Sequence, residues 1–138
     1  MAELQFKALG NKDSGPSRSL EVFPTPAHVR KVTLESDEVT SLCPVTGQPD
    51  WETVRIEFEP GPYCIESKSL KLYLWSFRQE GAFCEALSAR IAQDIYEACA
   101  PVWVKVTITQ KPRGGITICS EASLPDPLAN HPPNHTLV

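Results

Sequence analysis

A short stretch broken by proline and glycine holds the first pair of residues that could do chemistry together. Residues 41–50 read Ser-Leu-Cys-Pro-Val-Thr-Gly-Gln-Pro-Asp, with Cys43 near one end and Asp50 at the other. A cysteine attacks as its thiolate, so it needs a base or a positive charge beside it. Asp50 serves as a proton-transfer partner provided the loop folds back and the two meet. The plain alternative is a buried structural cysteine, the commonest fate of a lone Cys. No histidine lies close in sequence, so the pair is not a triad signature.

The second stretch runs from Glu66 to Glu85. Lys68, Lys71 and Arg78 supply positive charge, and Ser67, Ser69 and Ser76 supply small hydroxyls. Leu70, Leu72, Leu74, Trp75 and Phe77 lie between them. Such a segment can be anchored by its apolar face while its cations meet an anion such as phosphate. It can equally be a basic surface helix over a core, since charge runs usually mark a solvated face. Glu85 is a helix-surface carboxylate, or it accepts two hydrogen bonds from a planar heterocycle with adjacent N–H groups, as carboxylates accept from base amines. Glu66 is equally open. Cys84 is core, site wall or redox partner of Cys43, and residue types do not choose among these.

The elements that must position these groups follow from periodicity. Arg30–Thr40 is extended, with Val32, Leu34 and Val39 among polar residues. Pro44, Gly47 and Pro49 forbid regular structure over 41–50, which puts Cys43 and Asp50 on a constrained loop. From Trp51 to Pro60, Val54, Ile56 and Phe58 face one way and Arg55, Glu57 and Glu59 the other, a strand with one wet face. A helix is expected over Ser69–Gln79 and a second over Ala82–Cys99, where Phe83, Leu87, Ile91 and Ile95 form one apolar face before Pro101. Val102–Thr109 alternates again, Lys111–Gly115 is a turn, and Ile116 and Ile118 open a last strand. The expected class is α+β: an antiparallel four-stranded sheet with two helices on one face, in the order ββααββ. Residues 1–28 are expected to be an N-terminal arm, 29–121 the domain, and 122–138, rich in proline, a flexible tail.

At 138 residues the chain is one domain by size, with 22% charged and 41% hydrophobic residues. Its net charge of -4 argues against non-specific nucleic-acid binding as its main work, though not against a local basic patch. No apolar run approaches a membrane span, and the polar N-terminus lacks the apolar core of a secretory signal, so a cytoplasmic location is expected. The five cysteines, Cys43, Cys64, Cys84, Cys99 and Cys119, are irregularly spaced and do not form a disulfide framework. His28, His131 and His135 add no convergent ligand set, so no metal is expected.

Together, Ser-Leu-Cys-Pro-Val-Thr-Gly-Gln-Pro-Asp-Trp and Glu-Ser-Lys-Ser-Leu-Lys-Leu-Tyr-Leu-Trp-Ser-Phe-Arg closely resemble the NADPH-dependent nitrile reductases of queuosine biosynthesis, the 7-cyano-7-deazaguanine reductases, in their short single-module form. The resemblance runs from about Pro24 to about Glu121. It implies the tunnelling fold, with Cys43 as the nucleophile that forms a covalent thioimide and Asp50 as the proton donor. Two NADPH molecules would deliver two hydrides. Lys68, Ser69, Lys71 and Arg78 would bind that cofactor. Glu85 would grip the guanine-like edge of the substrate, with Ile65, Glu66, Ser67 and Cys84 completing the substrate pocket. It also implies a homo-oligomer of two stacked pentamers, a decamer, with sites between subunits and neither nucleic acid nor membrane as partner. One departure stands out: family members commonly carry His-Glu where this chain has Cys84-Glu85, and His28 is a conceivable substitute.

Three other readings compete. A relative on the same fold that adds ammonia to the nitrile would keep Cys43 and Asp50 but lack the lysine-rich motif. A zinc-dependent cyclohydrolase would need a ligand set. A non-catalytic purine- or pterin-binding scaffold would bind ligand without a covalent adduct.

Overall fold

The computed structural model describes residues 5–10 and 15–126. In chain order the elements are β1 (Val22–Pro24), β2 (Val32–Leu42), β3 (Pro49–Glu59), β4 (Tyr63–Ile65), α1 (Ser67–Trp75), α2 (Cys84–Cys99), β5 (Trp103–Arg113) and β6 (Ile116–Leu124). The alternation of β3 and β5 sets the core. Val54 lies opposite Ile108, Ile56 opposite Val106 and Phe58 opposite Val104, and all six side chains are fully buried. Each such burial is worth about 1.5–3 kcal/mol relative to exposure. β2 and β6 flank this pair in an antiparallel sheet of order β2-β3-β5-β6.

Both helices cover one face. α2 packs on β5 and β6 through Leu87, Ile91 and Ile95, while α1 lies against β2. Phe83 does not continue the α2 stripe: it caps the helix from outside and is exposed, because the helix starts one residue later. The Tyr73 hydroxyl donates to Asp94 Oδ2 at 2.5 Å and ties the two helices together. The other face of the sheet is polar. There Glu57 is ringed by Lys31 (3.0 Å), Lys105 (3.4 Å) and Arg55 (3.5 Å), and Lys31 above all holds its carboxyl down to about 2.

Several boundaries differ from the sequence reading. α1 starts at Ser67, where Glu66 caps it, and ends at Trp75, so Ser76–Gln79 is a turn. Pro49 and Asp50 belong to β3, not to the loop, because Pro49 opens the strand, where its missing N–H is tolerated. Within the expected arm, Val22–Pro24 pairs with Tyr63–Ile65 as a two-stranded sheet. Ser17 N–H and Glu21 N–H bond to Leu72 O and Ser69 Oγ, and the Arg18 guanidinium stacks 3.8 Å from the Phe77 ring centre, so this segment lies along α1. β6 runs to Leu124, into the expected tail; residues 127–138 lie outside the described residues.

Two bulges matter for the site. In β2, Asp37 and Glu38 together oppose Thr53, so Ser36 and Val39 face the same side although three residues apart. In β5, Lys111 and Pro112 together oppose Thr117, and the extra residue returns Arg113 to the helix-covered side shared by Ile108 and Gln110. Gly114 and Gly115 then close the hairpin with φ of 58° and 78°, as a primed two-residue turn requires.

Candidate active site

Cys43 begins a single helical turn. Pro44 sits where its missing N–H is harmless, Gly47 N–H returns to Cys43 O at 2.8 Å, and Cys43 N–H bonds Gln48 O at 2.8 Å. The thiol therefore occupies the position of a helix cap, facing the first N–H groups of the turn. The Thr46 hydroxyl, then the backbone N–H groups of Thr46 and Val45, then Arg113 favour the thiolate and outweigh burial, so the Cys43 thiol is pulled down to about 6.

Arg113 joins the two residues singled out at the start. Its Nη2 donates to Cys43 Sγ at 3.7 Å, and its Nη1 lies 3.1 Å from Asp50 Oδ1 as an ion pair, without the alignment of a hydrogen bond. Asp50 is buried at 3% exposure. Cys43, Asp50 and Arg113 thus come from the β2–β3 loop, the start of β3 and the end of β5.

The start of α2 is docked onto the same corner. Leu42 N–H bonds Glu80 O at 2.9 Å and Ala82 N–H bonds Leu42 O at 3.1 Å, which lays residues 80–82 beside the Cys43 loop. Cys84 is buried, and its Sγ donates to Ile108 O at 3.7 Å. Burial, then the charges of Glu52, Glu85, Cys119 and Asp50, push this thiol up to about 11, so it stays neutral and unreactive. Cys84 is therefore a core residue in this fold. Glu85 is exposed in the first turn of α2. His28 precedes β2, at the opposite end of an 11-residue strand from Cys43, roughly 33 Å of rise away, so it cannot replace a histidine at Cys84 within one chain.

The lysine-rich segment divides by orientation. Ser67, Lys71, Trp75 and Arg78 line a cleft of about 540 Å³ between α1 and the β2 side of the sheet. That volume falls within the range of small-molecule sites. Its cations suit phosphates and Trp75 offers a flat surface, so these residues fit a dinucleotide cofactor. Ser69 is turned the other way: it donates to Glu66 O at 2.9 Å, accepts from Glu21 N–H at 2.9 Å, and is buried. Glu66 caps α1, with its carboxylate oxygens accepting from Lys68 N–H (2.7 Å) and Ser69 N–H (2.8 Å). Ile65 belongs to the core. Among the described residues no cluster of His, Cys, Asp and Glu could hold a metal ion.

Sequence reasoning missed Thr46, Arg113 and Glu52. Thr46 was legible as the fourth residue of a turn opened by Cys-Pro. Glu52 was legible too, because it has the inward parity of Val54, Ile56 and Phe58, where a charge is out of place. Arg113 was not, because the bulge reverses its parity.

The profile of the family described as QueF-like protein matches residues 49–127. The chain belongs to the QueF-like family. Proteins named NADPH-dependent 7-cyano-7-deazaguanine reductase resemble it along most of their length. One from an Anaeromyxobacter species is 50% identical over 103 residues, covering 73% of this chain and 84% of that protein. Those of Frankia casuarinae and Syntrophus aciditrophicus are each 44% identical, over 115 and 127 residues, covering 83% and 91% of this chain and 92% and 91% of theirs. Among solved structures, an archaeosine synthase QueF-Like in the apo form superposes with a TM-score of 0.65 at 23% identity, over 69% of this chain and 93% of that one. At that identity the likeness concerns the fold alone, and it bears out the expected antiparallel sheet with two helices, the tunnelling fold of the QueF-like family.

Proposed function

We infer that this chain is an NADPH-dependent oxidoreductase that reduces the nitrile of 7-cyano-7-deazaguanine to the primary amine, 7-aminomethyl-7-deazaguanine, in queuosine biosynthesis. The observation that carries this reading is the convergence of a thiolate-favouring Cys43 and a buried Asp50 on Arg113. Its reductase-named relatives favour it over the ammonia-adding alternative.

A nitrile is a poor hydride acceptor, and adding sulfur changes that. The Cys43 thiolate forms a bond to the nitrile carbon, one π bond of the nitrile opens, and the nitrogen takes a proton from Asp50, giving a thioimide. NADPH, when bound, supplies the hydrides. After the first reduction the carbon expels sulfur again, and the contacts from Thr46 and Arg113 that stabilise the thiolate make it a good leaving group. Lys71 and Arg78 hold the phosphates of the cofactor, with Ser67 and Trp75 beside them. Lys68 stands in the same turn. Glu85, exposed at the mouth of the corner, grips the guanine-like edge of the substrate and orients its nitrile toward Cys43.

The sites are completed by neighbouring copies. β2 and β6 are the open edges of the sheet, and Val45, Trp51, Phe83 and Ile116 leave apolar surface exposed around the Cys43 corner and the β5–β6 hairpin. Pairing β2 of one copy with β6 of the next closes a ring, and two stacked pentamers give a decamer. Light scattering on the eluting protein tests this, and a monomer overturns it. Among the described residues no helix is long and apolar enough to cross a membrane. The free cysteines suit the reducing cytoplasm.

The test is NADPH absorbance with 7-cyano-7-deazaguanine, with Cys43→Ala alongside. Substrate-dependent oxidation in the wild type and none in the variant is expected. No oxidation and no adduct by intact mass in the wild type overturns the reading and leaves a binding scaffold.

A further inference from the structure

Asp50 and Glu52 are alternate residues of β3 on the face that carries Val54, Ile56 and Phe58. Both are buried, and one oxygen of each, Asp50 Oδ1 and Glu52 Oε2, has no hydrogen-bond partner among the described residues. Alternate positions on one face advance by about 6.6 Å, and Glu52 feels the charge of Asp50, so the two carboxyls are near neighbours that a bridging water can connect.

Their surroundings differ. Asp50 has Arg113 as a counter-ion. Among the described residues no cation lies within ion-pair distance of Glu52. The groups around Glu52 are neutral or acidic. The fully buried Ser41 on β2 donates to Oε1 at 2.9 Å. Gln110 on β5 is its register partner. Cys84 on α2 feels its charge together with those of Glu85, Asp50 and, on β6, Cys119. A buried carboxyl without a cation keeps its proton. Burial, with the charge of Asp50 adding and the Ser41 bond opposing, pushes Glu52 up to about 7.

The reaction inferred above, on which this argument rests, consumes two protons at the substrate nitrogen for each nitrile that becomes an amine. One carboxyl carries one. We propose that Glu52 is the proton store of this site, resupplying Asp50 so that two protons reach the substrate nitrogen within one turnover. Asp50 gives its proton to nitrogen as the carbon–sulfur bond forms. The O–H bond at Glu52 Oε2 then breaks and a new one forms on Asp50. Asp50 gives this second proton to nitrogen as the first hydride, from NADPH, reaches carbon. Sulfur leaves as the Cys43 thiolate, and Asp50 and Glu52 each regain a proton from solvent when product departs, replacing the two consumed. Glu52 acts through Asp50 and is a positioning residue for the proton, with no contact to substrate required of it.

Glu52→Gln is the test, because it keeps the shape and the acceptor for Ser41 but cannot pass a proton. With purified full-length protein at pH 7, kcat falls about tenfold or more. KM for 7-cyano-7-deazaguanine stays within about twofold. The Cys43 adduct formed without NADPH is retained by intact mass. Wild-type kcat declines above pH 7, and that limb is absent from the variant. Infrared difference spectra at pH 6 contain a protonated-carboxyl band in the wild type that Glu52→Gln removes. A variant with wild-type kcat and pH profile, or no such band, overturns the proposal while the reductase reading stands. A wild type without turnover or adduct overturns that reading itself.

Discussion

Arg113 Nη2 lies 3.7 Å from Cys43 Sγ, although 70 positions separate the two residues in the chain. The same guanidinium reaches Asp50 with its other terminal nitrogen. It therefore reaches two acidic groups at once, which a lysine's single ammonium does less well. Arg113→Gln should raise the Cys43 thiol above its value of about 6 and lower the thiolate fraction at pH 7. The pH profile of iodoacetamide alkylation, read with Cys43 as the adduct site, should move to higher pH. An unmoved midpoint would contradict the contact.

The Thr46 hydroxyl is the strongest of the groups favouring the thiolate, ahead of the backbone N–H groups and of Arg113. Thr46→Val keeps the side-chain shape and removes the donor. Its alkylation midpoint should rise further than that of Arg113→Gln. The reverse order would make the distant arginine the main activator.

Glu52 links stability to pH. Its carboxyl is raised from an ordinary 4.5 to about 7, chiefly by burial. A group raised in the folded state contributes fully below its unfolded value and loses that contribution as pH climbs through the folded one. Wild-type stability should therefore fall between about pH 4.5 and 7, by about 2–3 kcal/mol for a shift of this size. Urea unfolding of Glu52→Gln should not fall over that window, leaving the variant more stable than wild type at pH 8 and similar to it near pH 4.5. Parallel curves for the two proteins would mean that Glu52 is not held neutral.

Lys71 and Ser69 stand in one motif but face different ways. Lys71→Ala should raise KM for NADPH about tenfold with little change in kcat, as loss of one charge-assisted contact does. Ser69→Ala should leave KM for NADPH alone and cost about 1 kcal/mol of stability, because it removes the bonds to Glu21 N–H and Glu66 O. Steady-state kinetics beside urea unfolding distinguishes the two.

The core strands and both helices were legible because their patterns are local. Val54, Ile56 and Phe58 alternate, and Leu87, Ile91 and Ile95 recur at helical spacing, so burial follows from the order of residues alone. The Cys-Pro start of the turn over residues 43–47 was legible for the same reason, since Pro44 restricts its own backbone wherever it stands. The short β1–β4 pairing was not, because three-residue strands carry no period and exist only through each other.

By itself, the sequence determined the four long strands, the two helices and the family, and it singled out Cys43 and Asp50 as a candidate pair. Tertiary structure alone decided what surrounds that pair. The bulge at Lys111 and Pro112 turns Arg113 onto the site face, docking of residues 80–82 on Leu42 brings Cys84 and Glu85 to the corner, and burial, with no cation beside it among the described residues, raises the Glu52 carboxyl to about 7. Each of these depends on residues far apart in the chain. Charge state is set by what is near in space, and no pattern read along the chain contains that distance.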